Sequence, residues 1–178
     1  MSNQSVPDLH YLPFEEFLAD VRTVAQAVAD GDWRPDFVIG IGRGGLVPAV
    51  FISHQLDLPM LSVDHSSKVP GFADELLGKV AEKSAAGTRL LFVDDINDSG
   101  GTIEYIRRLL DQHASDNGNL RFAVLISNDH SKVSVDYWAQ TIDRRHDKRW
   151  FVFPWEAVGA SAVIVDAALS VPERLASA

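Results

Sequence analysis

From Phe14 to about Ala29 the apolar positions fall at Phe14, Phe17, Leu18, Val21, Val24, Ala25 and Val28. That spacing predicts one buried helix face, and Gly31 and Pro35 punctuate its end. The pattern then changes. Phe37-Val38-Ile39-Gly40-Ile41 is a short apolar run that enters a glycine cluster, after which helical spacing resumes over Leu46 to Ile52. Met60–Val63, Arg89–Val93 and Phe122–Ile126 read as further strands, and Thr102 to about His113 as a helix. Strands that are apolar throughout, separated by helices, predict an α/β fold whose central sheet is mostly parallel and flanked by helices. Between Asp64 and Gly87 the periodicity is weak, with Pro70, Gly71 and Gly78 interrupting it. That stretch fits either a helix with loop flanks or a mobile loop over a site.

Composition narrows the class. A chain of 178 residues with 46% hydrophobic and 23% charged positions is globular and of single-domain size. There are 16 basic and 25 acidic residues, a net charge of −9, which argues against a nucleic-acid-binding face but leaves room for a local anion site. The absence of cysteine removes disulfides, thiolate catalysis and cysteine zinc sites. No apolar run approaches the ~20 residues of a membrane span, and the first residues lack signal-peptide character, so a soluble, cytoplasmic protein is expected. The six histidines show no metal-ligand spacing. Trp33 and Trp138 read as packing residues, and the basic run Arg144–Arg149 either as a plain solvated loop or as a collector of an anionic donor.

Two segments carry chemistry. Gly40-Ile41-Gly42-Arg43-Gly44-Gly45 satisfies G-x-G-x-x-G between a strand and a helix. The pattern is short, and a tight turn needing glycine explains it as well as a phosphate site does. Arg43 among exposed amides favours the phosphate. The second segment is far more specific: Leu91-Phe92-Val93-Asp94-Asp95-Ile96-Asn97-Asp98-Ser99-Gly100-Gly101-Thr102. An apolar strand ends in paired carboxylates, and a turn of hydroxyls and glycines then opens a helix. The turn offers backbone amides, the Ser99 and Thr102 hydroxyls and a helix N-terminus to one phosphate. The two acids beside it suit sugar hydroxyls or a hydrated Mg²⁺. Together they describe a sugar phosphate.

VDDINDSGGT resembles the phosphoribosyl-pyrophosphate signature of type I phosphoribosyltransferases, and IGIGRGGLVPA resembles their pyrophosphate loop in the xanthine-guanine and other 6-oxopurine enzymes. Leu9-His10-Tyr11-Leu12 and Trp150-Phe151-Val152-Phe153-Pro154-Trp155-Glu156 resemble the two ends of the same subgroup. The resemblance spans a core of about 9–157 within one domain of 1–178, leaving 158–178 as an apolar C-terminal extension. It implies a type I phosphoribosyltransferase-like fold with a small hood formed by N- and C-terminal segments.

It also implies roles. Asp94 and Asp95 would bind the ribose hydroxyls, Asp98, Ser99, Gly100, Gly101 and Thr102 the 5′-phosphate, and Gly42, Arg43 and Gly44 the pyrophosphate, across a Gly42–Arg43 peptide that is often cis in the family. Arg43 and Asp98 would be the catalytic pair, Asp98 standing near the purine N7. Trp150 would stack on the base, with Phe151 and Val152 along its edge. Asp94, Asp95 and Glu156 would serve Mg²⁺. Ser66–Ala73 matches a mobile hood loop. The expected partners are phosphoribosyl pyrophosphate and a nucleobase, in a homodimer or homotetramer, with no nucleic acid or membrane. The sequence departs from the resemblance after the Phe122–Ile126 strand. A lysine that reads the base O6 in 6-oxopurine enzymes is replaced there by Ser127-Asn128-Asp129, with Lys132 nearby either as a substitute or as a solvated surface lysine. Purine salvage is the leading reading. A sugar-phosphate or nucleotide sensor of the same fold, or a transferase for another base, is the alternative. A dinucleotide oxidoreductase is a distant third, since it leaves Asp94–Thr102 idle.

Overall fold

The computed structural model describes residues 7–64, 72–113 and 115–171, with residues 72–74 by backbone only. Five parallel strands form the central sheet: β2 (Phe37–Ile41), β3 (Met60–Val63), β4 (Leu90–Asn97), β5 (Leu120–Asn128) and β6 (Tyr137–Ile142), in the order β3-β2-β4-β5-β6. Helices α1 (Phe14–Asp30) and α2 (Gly42–Leu56) cover one face, and α3 (Phe72–Ala85) and α4 (Gly101–Gln112) the other. The two-residue period of the central strands divides the core. Leu91 and Val93 on β4, with Ala123 and Leu125 on β5, pack toward Phe17, Val21 and Val24 of α1. Their neighbours Leu90, Phe92, Phe122 and Val124 pack toward Ile103, Ile106 and Leu110 of α4. This is why these strands read as continuous apolar runs: both faces are covered.

A separate two-stranded parallel ribbon joins the chain ends. β1 (Leu9–Tyr11) pairs with β7 (Trp150–Val152) in the register Leu9↔Trp150, His10↔Phe151, Tyr11↔Val152. The expected hood of N- and C-terminal segments is therefore present. α5 (Ser161–Leu169) follows it and buries Ile164 and Ala168.

Several expectations need correcting. β4 does not stop at Val93 but runs on through both aspartates to Asn97, Asp94 pairing with Val124 and Ile96 with Ile126. α2 begins at Gly42, so the glycine cluster is the first turn of the helix rather than a loop before it. β6 was not anticipated, because an edge strand reading Tyr-Trp-Ala-Gln-Thr-Ile carries polar residues where a central strand would not. Trp138 on that strand is no packing residue: it is 46% exposed and donates its indole N–H to Thr141 Oγ1 at 3.0 Å. No cis peptide occurs among the described residues, the Gly42–Arg43 bond included. The hood loop expected over Ser66–Ala73 lies outside the described residues apart from the backbone of the first turn of α3. Among the described residues no helix is long and apolar enough to cross a membrane.

Candidate active site

The carboxyl ends of β2 and β4 lie side by side, Gly40 pairing with Val93, and each feeds a helix whose first turn opens at the same edge of the sheet. At the β4 end, Gly100 takes the left-handed conformation (φ 86°) that turns the chain into α4. The turn is backed by the β5–β6 connection. Asn97 Nδ2 donates to Val133 O at 2.8 Å, Ser131 Oγ donates to Asn97 Oδ1 at 2.8 Å, and Lys132 N donates to Ser99 O at 3.3 Å. A Cβ on Gly100 would run into Val133 and meet Ser131 Oγ at 2.8 Å. The result is a cavity of about 210 Å³ walled by residues 94 to 103, at the N-terminus of α4, where the backbone of a helix start favours an anion.

At the β2 end, α2 must lie almost on β4. A Cβ at Gly45 would strike the Val93 carbonyl oxygen and stand 3.0 Å from Asp94 Cα, and one at Gly44 would strike the Asp95 carboxylate. Both glycines are thus explained by close approach. Pro48 within α2 removes the N–H that would otherwise take up the Gly44 carbonyl. Gly42, Arg43 and Gly44 line a larger cavity of about 560 Å³ together with Asp94, Asp95, Thr102, Trp150, Val152 and Glu156. Its outer wall is apolar, made by Trp155 and by Val163, Ile164 and Ala167 of α5.

A third cavity, about 220 Å³, opens on the hood side and is lined by Asp95, Asp98, Arg144, Trp150, Phe151 and Glu156 among others. Asp95 is common to all three cavities.

The electrostatics are unbalanced. Asp94 is buried and Asp95 half-buried, open on the cavity side. Desolvation and the neighbouring Asp95 charge raise Asp94 well above the usual carboxylate range, against one hydrogen bond from Asp95 N. Desolvation and the charge of Glu156 push Asp95 up to about 7, against hydrogen bonds led by the one from Ile96 N at 2.7 Å. Glu156 is itself raised by desolvation, while the Phe153 N–H and Arg43 pull the other way. Carboxylates arranged so are short of a counter-charge or of hydroxyl donors. Among the described residues no three His, Cys, Asp or Glu side chains cluster as a closed metal cage. The donor set still fits Mg²⁺, which takes one or two carboxylates and fills its other positions with water and substrate phosphate oxygens.

Most of the residues singled out from the sequence meet at these cavities: Gly42–Gly44, Asp94–Asp98, Ser99–Thr102, Trp150–Val152 and Glu156. Lys132 does not. Its side chain is exposed, and only its backbone touches the turn, at Ser99 O. The residues that sequence reasoning missed are Arg144, Asn128 and the apolar wall of α5. Arg144 sits in a basic run with nothing local to set it apart, yet its side chain is 10% exposed and forks onto Asp98. Asn128 drew notice only for not being a lysine.

Comparison with known proteins bears on the family and the fold. Residues 10–158 match the phosphoribosyl transferase domain family. A curated relative, the xanthine-guanine phosphoribosyltransferase of Cereibacter sphaeroides, is 29% identical over 156 residues, covering 82% of this chain and 86% of its own. Among solved structures, the Helicobacter pylori xanthine-guanine-hypoxanthine phosphoribosyltransferase superposes with a TM-score of 0.63 at 22% identity, covering 85% of this chain and 95% of its own. A Neisseria gonorrhoeae protein solved with bound ppGpp superposes with a TM-score of 0.66 at 20% identity, covering 94% and 97%. With its helix-covered parallel sheet, its two glycine turns at one sheet edge and a family match over most of its length, this chain belongs to the phosphoribosyltransferase family.

Proposed function

We propose that the protein is a purine-type pentosyltransferase that moves the 5-phosphoribosyl group from phosphoribosyl pyrophosphate to a 6-oxopurine. The observation that carries this is the position of Asp95, where three cavities meet. A ribose at that junction puts its 5′-phosphate in the turn of residues 98–102, its pyrophosphate beside Gly42–Gly44 and its base beside Trp150. A dinucleotide site at Gly40–Gly45 would leave the cavity of residues 94 to 103 without a role.

In this reading the bond between the anomeric carbon and the pyrophosphate oxygen breaks and a bond to a base nitrogen forms. The base gives up one proton, and positive charge develops on the sugar. Asp94 and Asp95 hold the ribose hydroxyls and face that charge. Arg43 and the amides of Gly42 and Gly44 steady the leaving oxyanion. Asp98, in the cavity with Trp150, is placed to take the base proton. Trp150 and Phe151 form the aromatic side of the base cavity, and the α5 wall keeps water from the reacting centre. Mg²⁺ held by one or two of Asp94, Asp95 and Glu156 would supply charge neutralisation for the pyrophosphate.

A second reading, a nucleotide sensor without turnover, is favoured by one observation. Both oxygens of Asp98 already accept N–H groups of Arg144, at 3.2 and 3.1 Å, which opposes proton transfer. The test is incubation with phosphoribosyl pyrophosphate, Mg²⁺ and, separately, guanine, hypoxanthine, xanthine and adenine, with chromatography of the products. A 5′-mononucleotide of an oxopurine supports the enzyme. Tight GMP binding with no product from any base supports the sensor.

A further inference from the structure

Arg144 leaves the end of β6 and buries its guanidinium against the floor of the hood-side cavity. Its Nε and Nη2 donate to Asp98 Oδ1 and Oδ2 at 3.2 and 3.1 Å. Its Nη1 donates to the carbonyls of Asp147 and Arg149 at 3.2 and 2.7 Å. The guanidinium carbon lies 5.1 Å from the centre of the Phe151 ring. Burial pulls the group down to about 10, so it remains a cation at neutral pH. A guanidinium carries five N–H bonds. Four are accounted for by these acceptors, and the fifth, on Nη2, has no acceptor assigned among the described residues.

Asn128 fixes this arrangement from below. It is buried, and it lies within the Ser127-Asn128-Asp129 stretch that stands where the 6-oxopurine resemblance calls for a base-reading lysine. Its Nδ2 donates to Asp98 O at 2.9 Å, and its Oδ1 accepts from Arg144 N and His130 N, each at 3.2 Å. One side chain thus ties together the phosphate turn, the β5–β6 connection and the exit from β6. Its oxygen and one of its N–H bonds are so engaged and it carries no charge, so the cation of the cavity arrives from a different strand.

We propose that Arg144 is the specificity-determining residue of this site, presenting one N–H beside the Asp98 carboxylate so that the cavity selects a 6-oxopurine edge and rejects a 6-aminopurine. The inference rests on the reading of the site as one for a purine. Arginine and carboxylate side by side offer a donor next to an acceptor. A 6-oxopurine edge offers the complement, a carbonyl oxygen next to a ring nitrogen that can carry a proton. Adenine offers an amino group in place of the carbonyl, which would face the guanidinium donor against donor. Such a mismatch leaves buried polar groups unpaired, and sites built on hydrogen bonds discriminate strongly for that reason. The bidentate lock on Asp98 gives the pair one orientation, which a flexible lysine does not.

The test is calorimetric titration of GMP, IMP, AMP and ribose 5-phosphate into wild-type protein, Arg144→Gln and Arg144→Lys. The expected wild-type result is GMP and IMP bound at least ~10-fold more tightly than AMP. Arg144→Gln should bring GMP and IMP to the AMP level while ribose 5-phosphate affinity stays unchanged. Arg144→Lys should restore only part of the discrimination, since it keeps the charge without the fork. Wild-type protein that does not distinguish IMP from AMP overturns the inference, as does Arg144→Gln that weakens all four ligands equally. Should Arg144→Gln not fold, the wild-type ratio and the lysine variant still decide. Failure of ribose 5-phosphate and of all three nucleotides to bind wild-type protein sinks the purine-transferase reading itself, a result distinct from loss of selectivity.

Discussion

The phosphate end and the base end of the site sit a few residues apart and are built by different means. The phosphate end is made of backbone. Five consecutive positions, Asp98 to Thr102, follow the strand end at Asn97 and supply a left-handed glycine and the start of α4. The base end is made of side chains from distant segments. Asp98 follows β4, Asn128 ends β5, Arg144 follows β6, and Trp150 and Phe151 lie on β7. An anion site of amides is written in a contiguous motif because the amides are contiguous. A donor–acceptor pair for a base exists only after the sheet has assembled. The first end therefore tolerates little change in backbone space, whereas the second is open to re-engineering by single side chains.

The largest expected effect lies where the two ends meet. Asp94→Asn with Asp95→Asn removes two charged acceptors, each worth ~1.5–3 kcal/mol, and should weaken phosphoribosyl pyrophosphate at least ~100-fold by calorimetry. The same change should stabilise the ligand-free fold. The folded carboxyl of Asp95 sits at about 7, above its ordinary 3.8. Between those values the folded state holds a proton that the unfolded state has lost, so stability falls as pH rises through the window. Ligand-free wild-type protein should melt lower at pH 8 than at pH 5, and Asp95→Asn should flatten that slope, with a gain on the order of 2–4 kcal/mol at pH 8. An unchanged slope would show that water already solvates the pair.

Next comes the backbone test of the phosphate side. Gly45→Ala forces a Cβ into the Val93 carbonyl and should cost ~1–3 kcal/mol in a denaturant titration. Gly101→Ala, which meets only Ser99 Oγ at 3.5 Å, should leave the denaturation midpoint almost unmoved. Equal costs at the two glycines would break the argument from close approach. At the base end, Trp150→Ala should weaken nucleotide binding by ~1–3 kcal/mol, the scale of base stacking on an aromatic side chain, while sparing ribose 5-phosphate. The smallest effect belongs to Lys132→Ala, which should shift base affinity by less than ~0.5 kcal/mol because the side chain is exposed and away from the cavity. A larger loss would restore Lys132 as the base-reading cation and displace Arg144.

What the sequence made legible follows the same division. The strands Phe37–Ile41 and Met60–Val63 can be read to the residue, the first because burial on two faces writes a continuous apolar run, the second because three of its four residues are apolar although Ser62 is exposed. The phosphate turn is equally plain. β6 stays hidden since Gln140 and Thr141 interrupt its apolar positions, and the helical character of the Gly42 turn stays hidden because four glycines among six residues read as loop. Arg144 is the instructive case. Within Arg144-Arg145-His146-Asp147-Lys148-Arg149 it looks like its neighbours, yet Arg145 is 65% exposed in its side chain and bonded to Asp143, while Arg144 is buried on Asp98. Only the closing of β6 against β5 distinguishes them, and no local pattern records that pairing.

The measurement that bears most directly on the account is pyrophosphate release from phosphoribosyl pyrophosphate in the presence of Mg²⁺, with and without each base, by wild-type protein and by the Asp94→Asn, Asp95→Asn variant. The account predicts release that depends on guanine, hypoxanthine or xanthine, exceeds that with adenine, and is absent from the variant. Donor that binds at the Asp94–Thr102 site yet yields no pyrophosphate with any of these bases would contradict it.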